Sequence, residues 1–376
     1  MGCLLVKPVP VGPSESGAGT CSGQRIPYAF NAAQGRRPYM EDAVLIWSGK
    51  GEGCLGDCMV VGVFDGHGGS SVARFCESTF VEQLRSNLSE VGLAGASRES
   101  DPELLEGALH DTFFDLDDKI EGLPAVLVEP GAALMCCPAG DSYYKDIDGV
   151  GSTATVALVC ANRILFGNCG DSRSVLVRAG AVAFETRDHC PNDPTETARV
   201  TQAGGFVEEN RVDGVLGVAR ALGDHRFKGA EHLPPEQQAV TAKPDVTSVP
   251  RLHGKDQLIV LASDGLWTVM PSDMVAQFCV QRIVLEGMSP AQCAQQLLDA
   301  CCNKLYSMDN VSVIIVDLRQ EESQSQGPAQ TQDKALREQS AGATSASAGA
   351  GPPASPQDKA QTPALHATAV QLSVPA

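Results

Sequence analysis

Three strand-like runs, Gly151–Val159, Arg163–Asn168 and Ser172–Val177, follow one another with only three residues between neighbours. A parallel crossover needs a dozen residues or more, so links this short make each run the antiparallel neighbour of the one before it. That excludes an architecture built from βαβ units and points to antiparallel sheet. Cys58–Phe64 (CMVVGVF), Gln257–Ser263 (QLIVLAS) and Val311–Asp317 (VSVIIVD) read as further strands. Helices are predicted over Ser71–Leu88, with Val72, Phe75, Cys76, Phe80 and Leu84 on one face, and over Ser289–Lys304. In the second, Ser289 takes the N-cap and Pro290 the first helical position, ahead of an apolar face through Cys293, Ala294, Leu297, Leu298 and Cys301. Sheet plus helices of this kind is an α+β protein. Glu121–Asp148, broken by Pro and Gly, reads as an insertion-like loop, and the chain has no internal repeat.

The 376 residues are 43% apolar with a net charge of −18, the balance of a globular protein with a sizeable core. An excess of acid argues against nucleic acid as a partner, because phosphate neutralisation needs clustered Lys and Arg. No apolar run reaches the ~18 residues of a membrane span. Met1–Val6 is too short for a secretory signal and is cut off by Lys7, Pro8 and Pro10. The 14 cysteines contain no C-x-x-C and include two adjacent pairs, Cys136–Cys137 and Cys301–Cys302. Reduced thiols acting as small apolar side chains are therefore expected, and the Cys54/Cys58 spacing lacks the second half of a zinc site. Residues 321–376 have no Phe, Trp or Tyr and carry only −2 of the net charge. They read as a disordered tail, and residues 1–25, rich in Pro, Ser and Gly, as a flexible N-terminal segment.

Single aspartates recur at strand mouths. Asp65 ends MVVGVF and precedes Gly66-His67-Gly68-Gly69; Asp171 follows ILFGNCG; Asp264 ends LIVLAS before Gly265; Asp309 precedes VSVIIV; Asp42, beside Glu41, precedes AVLIW. One such Asp is most simply an Asx-turn or a helix cap. Five together form an oxygen-only donor set that selects hard cations, Mg²⁺ or Mn²⁺ above Zn²⁺.

Ten blocks then occur in a fixed order: Arg37-Pro-Tyr-Met-Glu41-Asp42, Val63-Phe-Asp65-Gly-His67-Gly-Gly, Gly151-Ser-Thr-Ala, Gly170-Asp171-Ser-Arg173, Asp188-His-Cys-Pro, Ala203-Gly-Gly-Phe-Val, Ala219-Arg-Ala-Leu-Gly-Asp224, Lys243-Pro-Asp, Ser263-Asp264-Gly-Leu-Trp267 and Asp309-Asn310. In these the chain resembles the metal-dependent protein phosphatase 2C family from about Ile26 to Leu318. The resemblance implies one catalytic domain over 26–318, a four-layer α-β-β-α sandwich with two mostly antiparallel central sheets and a binuclear Mn²⁺ or Mg²⁺ centre at one end. By position, Asp65 matches the carboxylate bridging both metals, and the Gly66 carbonyl a ligand of one. Asp264 and Asp309 match ligands of the other, Glu41 and Asp42 hold metal-bound waters, and Asp171 matches the ligand of a weaker third metal. Arg37 matches the phosphate-binding arginine and His67 a candidate general acid.

The implied function is a protein serine/threonine phosphatase acting on phosphorylated proteins by in-line attack of a metal-bridging hydroxide. Phosphomonoester hydrolysis needs up to ~10²¹-fold acceleration, so strong electrostatic help is expected. A guanidinium suits phosphate through two parallel donors, and no Cys-x5-Arg loop offers a cysteine nucleophile. Two other readings share the surface: a catalytically silent pseudophosphatase acting as a binding module, and a hydrolase of small phosphoesters. Asp188 and His189 read as turn chemistry, Arg220 and Asp224 as an internal ion pair or loop-fixing group, and Trp267 as core.

Three positions depart from the family pattern. Cys190 stands where Lys is usual, Thr268 where Asp is frequent, and Tyr306 where Gly is typical. Residues 229–242 correspond to a substrate-facing flap. Met1-Gly2-Cys3 resembles acylated members, so membrane association through lipid on Gly2 and Cys3 is an expectation, weakened by Val6 in place of Ser or Thr. Otherwise a cytoplasmic and/or nuclear monomer is expected.

Overall fold

The computed structural model describes residues 12, 14–21, 24–49, 54–91, 102–123, 126–128, 143–145 and 149–319. Its eleven strands of five or more residues are β1 (Ser14–Thr20), β2 (Pro27–Ala33), β3 (Ala43–Ser48), β4 (Met59–Phe64), β5 (Ala154–Val159), β6 (Arg163–Cys169), β7 (Arg173–Arg178), β8 (Ala181–Glu185), β9 (Asp245–Pro250), β10 (Asp256–Ala262) and β11 (Val311–Asp317). They make a six-stranded sheet, β1-β2-β11-β10-β7-β8, and a five-stranded sheet, β9-β6-β5-β4-β3. Every pairing within both sheets is antiparallel. The short link after β5 makes β6 its antiparallel neighbour, as its length requires, but the equally short link after β6 does not make β7 a neighbour of β6: it carries the chain into the other sheet, where β7 pairs with β8 and β10.

Strand periodicity explains why the central strands are apolar throughout. In β4, Met59, Val61 and Val63 face the other sheet, while Val60 and Phe64 face a helical layer. In β10, Ile259 and Leu261 face inward between the sheets, and Leu258, Val260 and Ala262 face the other helical layer. Each strand is buried on both faces, so the alternation of polar and apolar residues disappears. The middle core joins the two sheets through Phe166, Leu176, Ile314 and Val316.

Outside the five-stranded sheet lie α1 (Ser71–Glu90) and α2 (Pro102–Glu121), which meet through Phe80 and Phe113 at 5.6 Å, edge to face. A short helix, α3 (Pro194–Gln202), belongs to a satellite cluster of Val200, Val212, Leu216, Val218, Ala221 and Val240. Outside the six-stranded sheet lie α4 (Ser272–Cys279) and α5 (Pro290–Asp299). Layer order is therefore helix, sheet, sheet, helix. No helix among the described residues is long and apolar enough to cross a membrane.

The α5 terminus has a reciprocal cap: the Gln292 amide donates to Ser289 Oγ at 3.3 Å and the Ser289 amide to Gln292 Oε1 at 3.2 Å. Ser289→Ala is expected to cost about 1 kcal/mol in urea unfolding, with the m-value unchanged.

Several sequence readings change. Ser14–Thr20, placed in the flexible N-terminal segment, is an edge strand in register with β2. Gly17 lies opposite Phe30 and Gly19 opposite Tyr28, where a Cβ would strike each ring, so the glycines let the aromatics lie across the strand. The helix over Ser289–Lys304 is α-helical only to Asp299 and widens to a π-turn over Ala300–Lys304. All eleven described cysteines are free, most of them buried. Within Glu121–Asp148, Val126–Val128 pairs with Tyr143–Lys145; most of that stretch lies outside the described residues. So do Gly2, Cys3 and the tail 321–376. The chain divides into Met1–Glu321 and Glu322–Ala376, and only the first unit is described.

Candidate metal and phosphate site

The strand-mouth aspartates come from four different loops plus β3's approach, and all lie at one end of the sandwich. Asp65 follows β4, and its peptide is fixed on both sides by Thr153: the Asp65 amide donates to Thr153 Oγ1 at 3.2 Å, and the Thr153 amide to the Asp65 carbonyl at 2.9 Å. Asp264 opens a helical turn, Asp264–Trp267, directly after β10. Gly265 in that turn packs against the Asn310 carbonyl so closely that no Cβ would fit. Gly35, at φ +61°, leaves no room for a Cβ against the Asp309 carbonyl. Gly66 is filled in the same way by the Glu41 carbonyl. Close backbone approach at these glycines brings the loops together.

Asn310 then locks the Gln34–Glu41 segment, its Nδ2 donating to the carbonyls of Gln34 (2.7 Å) and Tyr39 (2.9 Å) and its Oδ1 accepting from the Glu41 amide (2.9 Å). Asp42 is buried; its Oδ2 accepts from Ser263 Oγ at 2.9 Å, and its Oδ1 takes no hydrogen bond.

Burial is the main force on these acids, and they also repel one another. Asp65 is pushed well above the ordinary carboxylate range, first by lost hydration and then by Asp42, Asp264, Asp171 and Asp309. Desolvation likewise takes Asp42 to about 7, with Asp309 and Asp264 adding to it. Asp171 rises to about 7 through burial and Asp264, and Asp264 to about 6 through burial and Asp309. The electrostatics thus place Asp42, Asp65, Asp171, Asp264 and Asp309 in one cluster.

Opposing charge comes from Arg37, whose Nη2 meets Asp309 Oδ2 at 2.6 Å while its side chain stays 53% exposed. His67 Nε2 lies 2.5 Å from Asp224 Oδ2. Burial works against the imidazolium, yet Asp224, then Asp171 and Glu41, outweigh it and hold the His67 pKa above its usual value. All nine residues expected at the site are accordingly brought to one end of the fold.

Asp224, read from the sequence as part of an internal ion pair or a loop-fixing group, meets His67. It makes no ion pair with Arg220, which instead binds Glu196 (2.7 Å) and Asp245 (2.8 Å). Asp224 reaches His67 because Leu222–Gly223 and Gly66–His67 pair with opposite edges of the same two residues, Gly151–Ser152. Gly151 leaves the space for the contact, since a Cβ there would strike both Asp224 and His67. Its turn is held by Asp117 of α2, which accepts from the Gly223 amide at 2.7 Å and from Lys228 Nζ at 2.7 Å. Asp188, read as turn chemistry, is instead gripped by Arg173 through two bonds of 2.9 and 2.7 Å. Trp267 is core, its Nε1 donating to the Ala262 carbonyl. Cys190 is half-buried, and the exposed Thr268 caps the Asp264 turn, its amide bonded to the Asp264 carbonyl. The flap residues Ala239 and Val240 pack with the α3 cluster.

The donor set fits a hard divalent cation. It is oxygen-only, its acids repel one another unless a positive charge intervenes, and Asp42 Oδ1 is buried without a donor. Among the described residues no three acidic, His or Cys side chains close into a shell by themselves, so backbone and water oxygens would complete one. Mg²⁺, which keeps several waters and takes one or two carboxylates, suits such an arrangement.

The family model described as "Protein phosphatase 2C" matches residues 26–311. "Probable protein phosphatase 1N" of Homo sapiens is 36% identical over 313 residues, 83% of this chain and 65% of that protein. "Protein phosphatase 1B" of Bos taurus is 33% identical, covering 84% of this chain and 60% of its own length. The chain thus spans slightly under two thirds of these relatives. Among solved structures, a Toxoplasma gondii phosphatase superposes with a TM-score of 0.63 at 23% identity, over 82% of this chain and 96% of its own. A serine-threonine phosphatase 2C from the same organism gives 0.62 at 23% identity, over 82% and 100%.

Proposed function

The chain belongs to the protein phosphatase 2C family, and on that premise we propose that it is a protein serine/threonine phosphatase dependent on Mn²⁺ or Mg²⁺. The observation that carries the reading is the convergence of five aspartates on one end of the sandwich beside a guanidinium and an imidazole. Asp65, Asp264 and Asp309 would hold two cations with the Gly66 carbonyl, Glu41 and Asp42 would order water around them, and Asp171 would serve a weaker third. When bound, the cations supply charge neutralisation and water of lowered pKa.

The remaining work falls to side chains of this chain. Arg37 orients the phosphoryl group with parallel donors, once its present partner Asp309 is engaged elsewhere. His67, kept charged by Asp224, gives a proton to the departing serine or threonine oxygen, a step worth ~10²–10⁴-fold for a poor leaving group. No covalent intermediate is required. Intact Asp65, Asp264 and Asp309 favour this reading over a silent binding module.

The test is hydrolysis of a phosphothreonine peptide with Mn²⁺ and with EDTA. We expect turnover with metal, a fall to background with chelator, and recovery when Mn²⁺ is restored. A folded protein that binds Mn²⁺ without turnover would instead be a pseudophosphatase.

A further inference from the structure

The turn leading into Asp309 is anchored at alternate residues. Ser307 is buried, its Oγ donating to the Gly265 carbonyl at 2.8 Å and its amide to the Cys301 carbonyl at 2.9 Å. Its neighbours point outward: Tyr306 is 63% exposed and Met308 64%. Tyr306 also sits at φ +57°, a left-handed conformation that is costly for a bulky side chain.

Arg36 secures this arrangement. Its Nη1 donates to the carbonyls of Cys302 (2.6 Å) and Ser307 (3.2 Å), and its guanidinium lies over the Tyr306 ring at 5.2 Å. The next residue, Arg37, pairs with Asp309. The Arg36–Tyr306 stack and the Arg37–Asp309 pair therefore run side by side between the same two chain segments.

We propose that Tyr306 and Met308 form an apolar rim to the phosphate site that selects substrates carrying an apolar side chain beside the phosphoresidue. This rests on the phosphatase reading above. A fixed aromatic ring offers contact area at little entropic cost, and a methionine adapts its shape to what it meets. Arg36 already places a cation on one face of the ring, so a basic substrate side chain on the other face would meet its repulsion, whereas a leucine would not. Both exposed side chains flank the turn that delivers Asp309, and exposed apolar groups beside such a turn are placed where a ligand can be read.

The experiment compares kcat/KM, with Mn²⁺, for two phosphothreonine peptides that differ only in Leu or Ser on both sides of the phosphothreonine. Wild type should prefer the Leu peptide by about tenfold, the effect of partly burying one such side chain. In Tyr306→Asn/Met308→Ser the preference should drop below about twofold through KM, with p-nitrophenyl phosphate turnover nearly unchanged. Asn accepts the left-handed backbone, so the turn is kept. Equal use of both peptides by wild type, or an undiminished preference in the variant, overturns the proposal. So does a parallel loss on peptide and p-nitrophenyl phosphate, which would make the role structural. If wild type hydrolyses neither ester, the phosphatase reading fails by itself. Calorimetric binding of the same two peptides then decides the rim, equal affinities counting against it.

Discussion

Asp65→Asn should eliminate metal-dependent hydrolysis and at the same time raise the melting temperature of the metal-free protein. The loss follows from removing the carboxylate at the centre of the acidic cluster. Several kcal/mol of transition-state stabilisation correspond to about 10³-fold or more in kcat. The gain follows from burial and from four neighbouring acids, which together hold the Asp65 pKa well above normal. A carboxyl whose folded pKa is raised binds its proton more tightly folded than unfolded, so its contribution becomes unfavourable as pH rises past the unfolded value near 4. An amide of the same shape avoids that cost. The metal-free variant should melt roughly 2 °C or more above wild type at pH 8, with a smaller gap at pH 5. With saturating Mn²⁺ the order should reverse, because only wild type gains from binding. Scanning calorimetry at two pH values, with and without metal, reads all of this. A variant less stable than wild type in EDTA at pH 8 would refute the electrostatic account.

The second large effect concerns Asp224→Asn. The Asp224 carboxylate holds His67 Nε2 at 2.5 Å and is itself buried, so the amide keeps the shape but loses the charge that favours imidazolium. Turnover of a phosphothreonine peptide should fall about 10²-fold, the lower range for a lost general acid. With p-nitrophenyl phosphate, whose leaving group needs no proton, the fall should be a few-fold. The Mn²⁺-induced melting shift should stay as in wild type. Equal losses on both substrates would mean that Asp224 only maintains the fold.

What could be read beforehand follows from how locally each feature is determined. Strands β4, β10 and β11 announce themselves because both faces are buried and their runs are continuously apolar. The clustered aspartates are visible because each ends or begins such a run. Helix α2 carries a local signal as well: Pro102 at its start and Leu105, Leu109, Phe113, Leu116 and Ile120 at helical spacing. Strand β1 offers little, as its exposed residues are Ser, Glu, Ala and Thr and its pairing depends on rings supplied by β2 over Gly17 and Gly19. Asp224 was beyond local reading. Its partner lies 157 residues earlier, and the contact arises only when two short strands flank Gly151–Ser152. A nearby arginine in the sequence suggested a pair that tertiary structure gives to Glu196.

Strand β2 lies between β1 and β11, so residues near position 30 are hydrogen-bonded to residues near position 314. The same closure brings Arg37 to Asp309 and Glu41 to Asn310. During synthesis β2 emerges early but has no inner neighbour until nearly three hundred further residues have been made. Contacts so distant in sequence carry a high loop-closure cost and form late. A nascent chain halted before Val311 would hold most of both sheets yet neither a closed central core nor an Asp309–Arg37 pair. Completion of the fold and assembly of the acidic site should therefore arrive together.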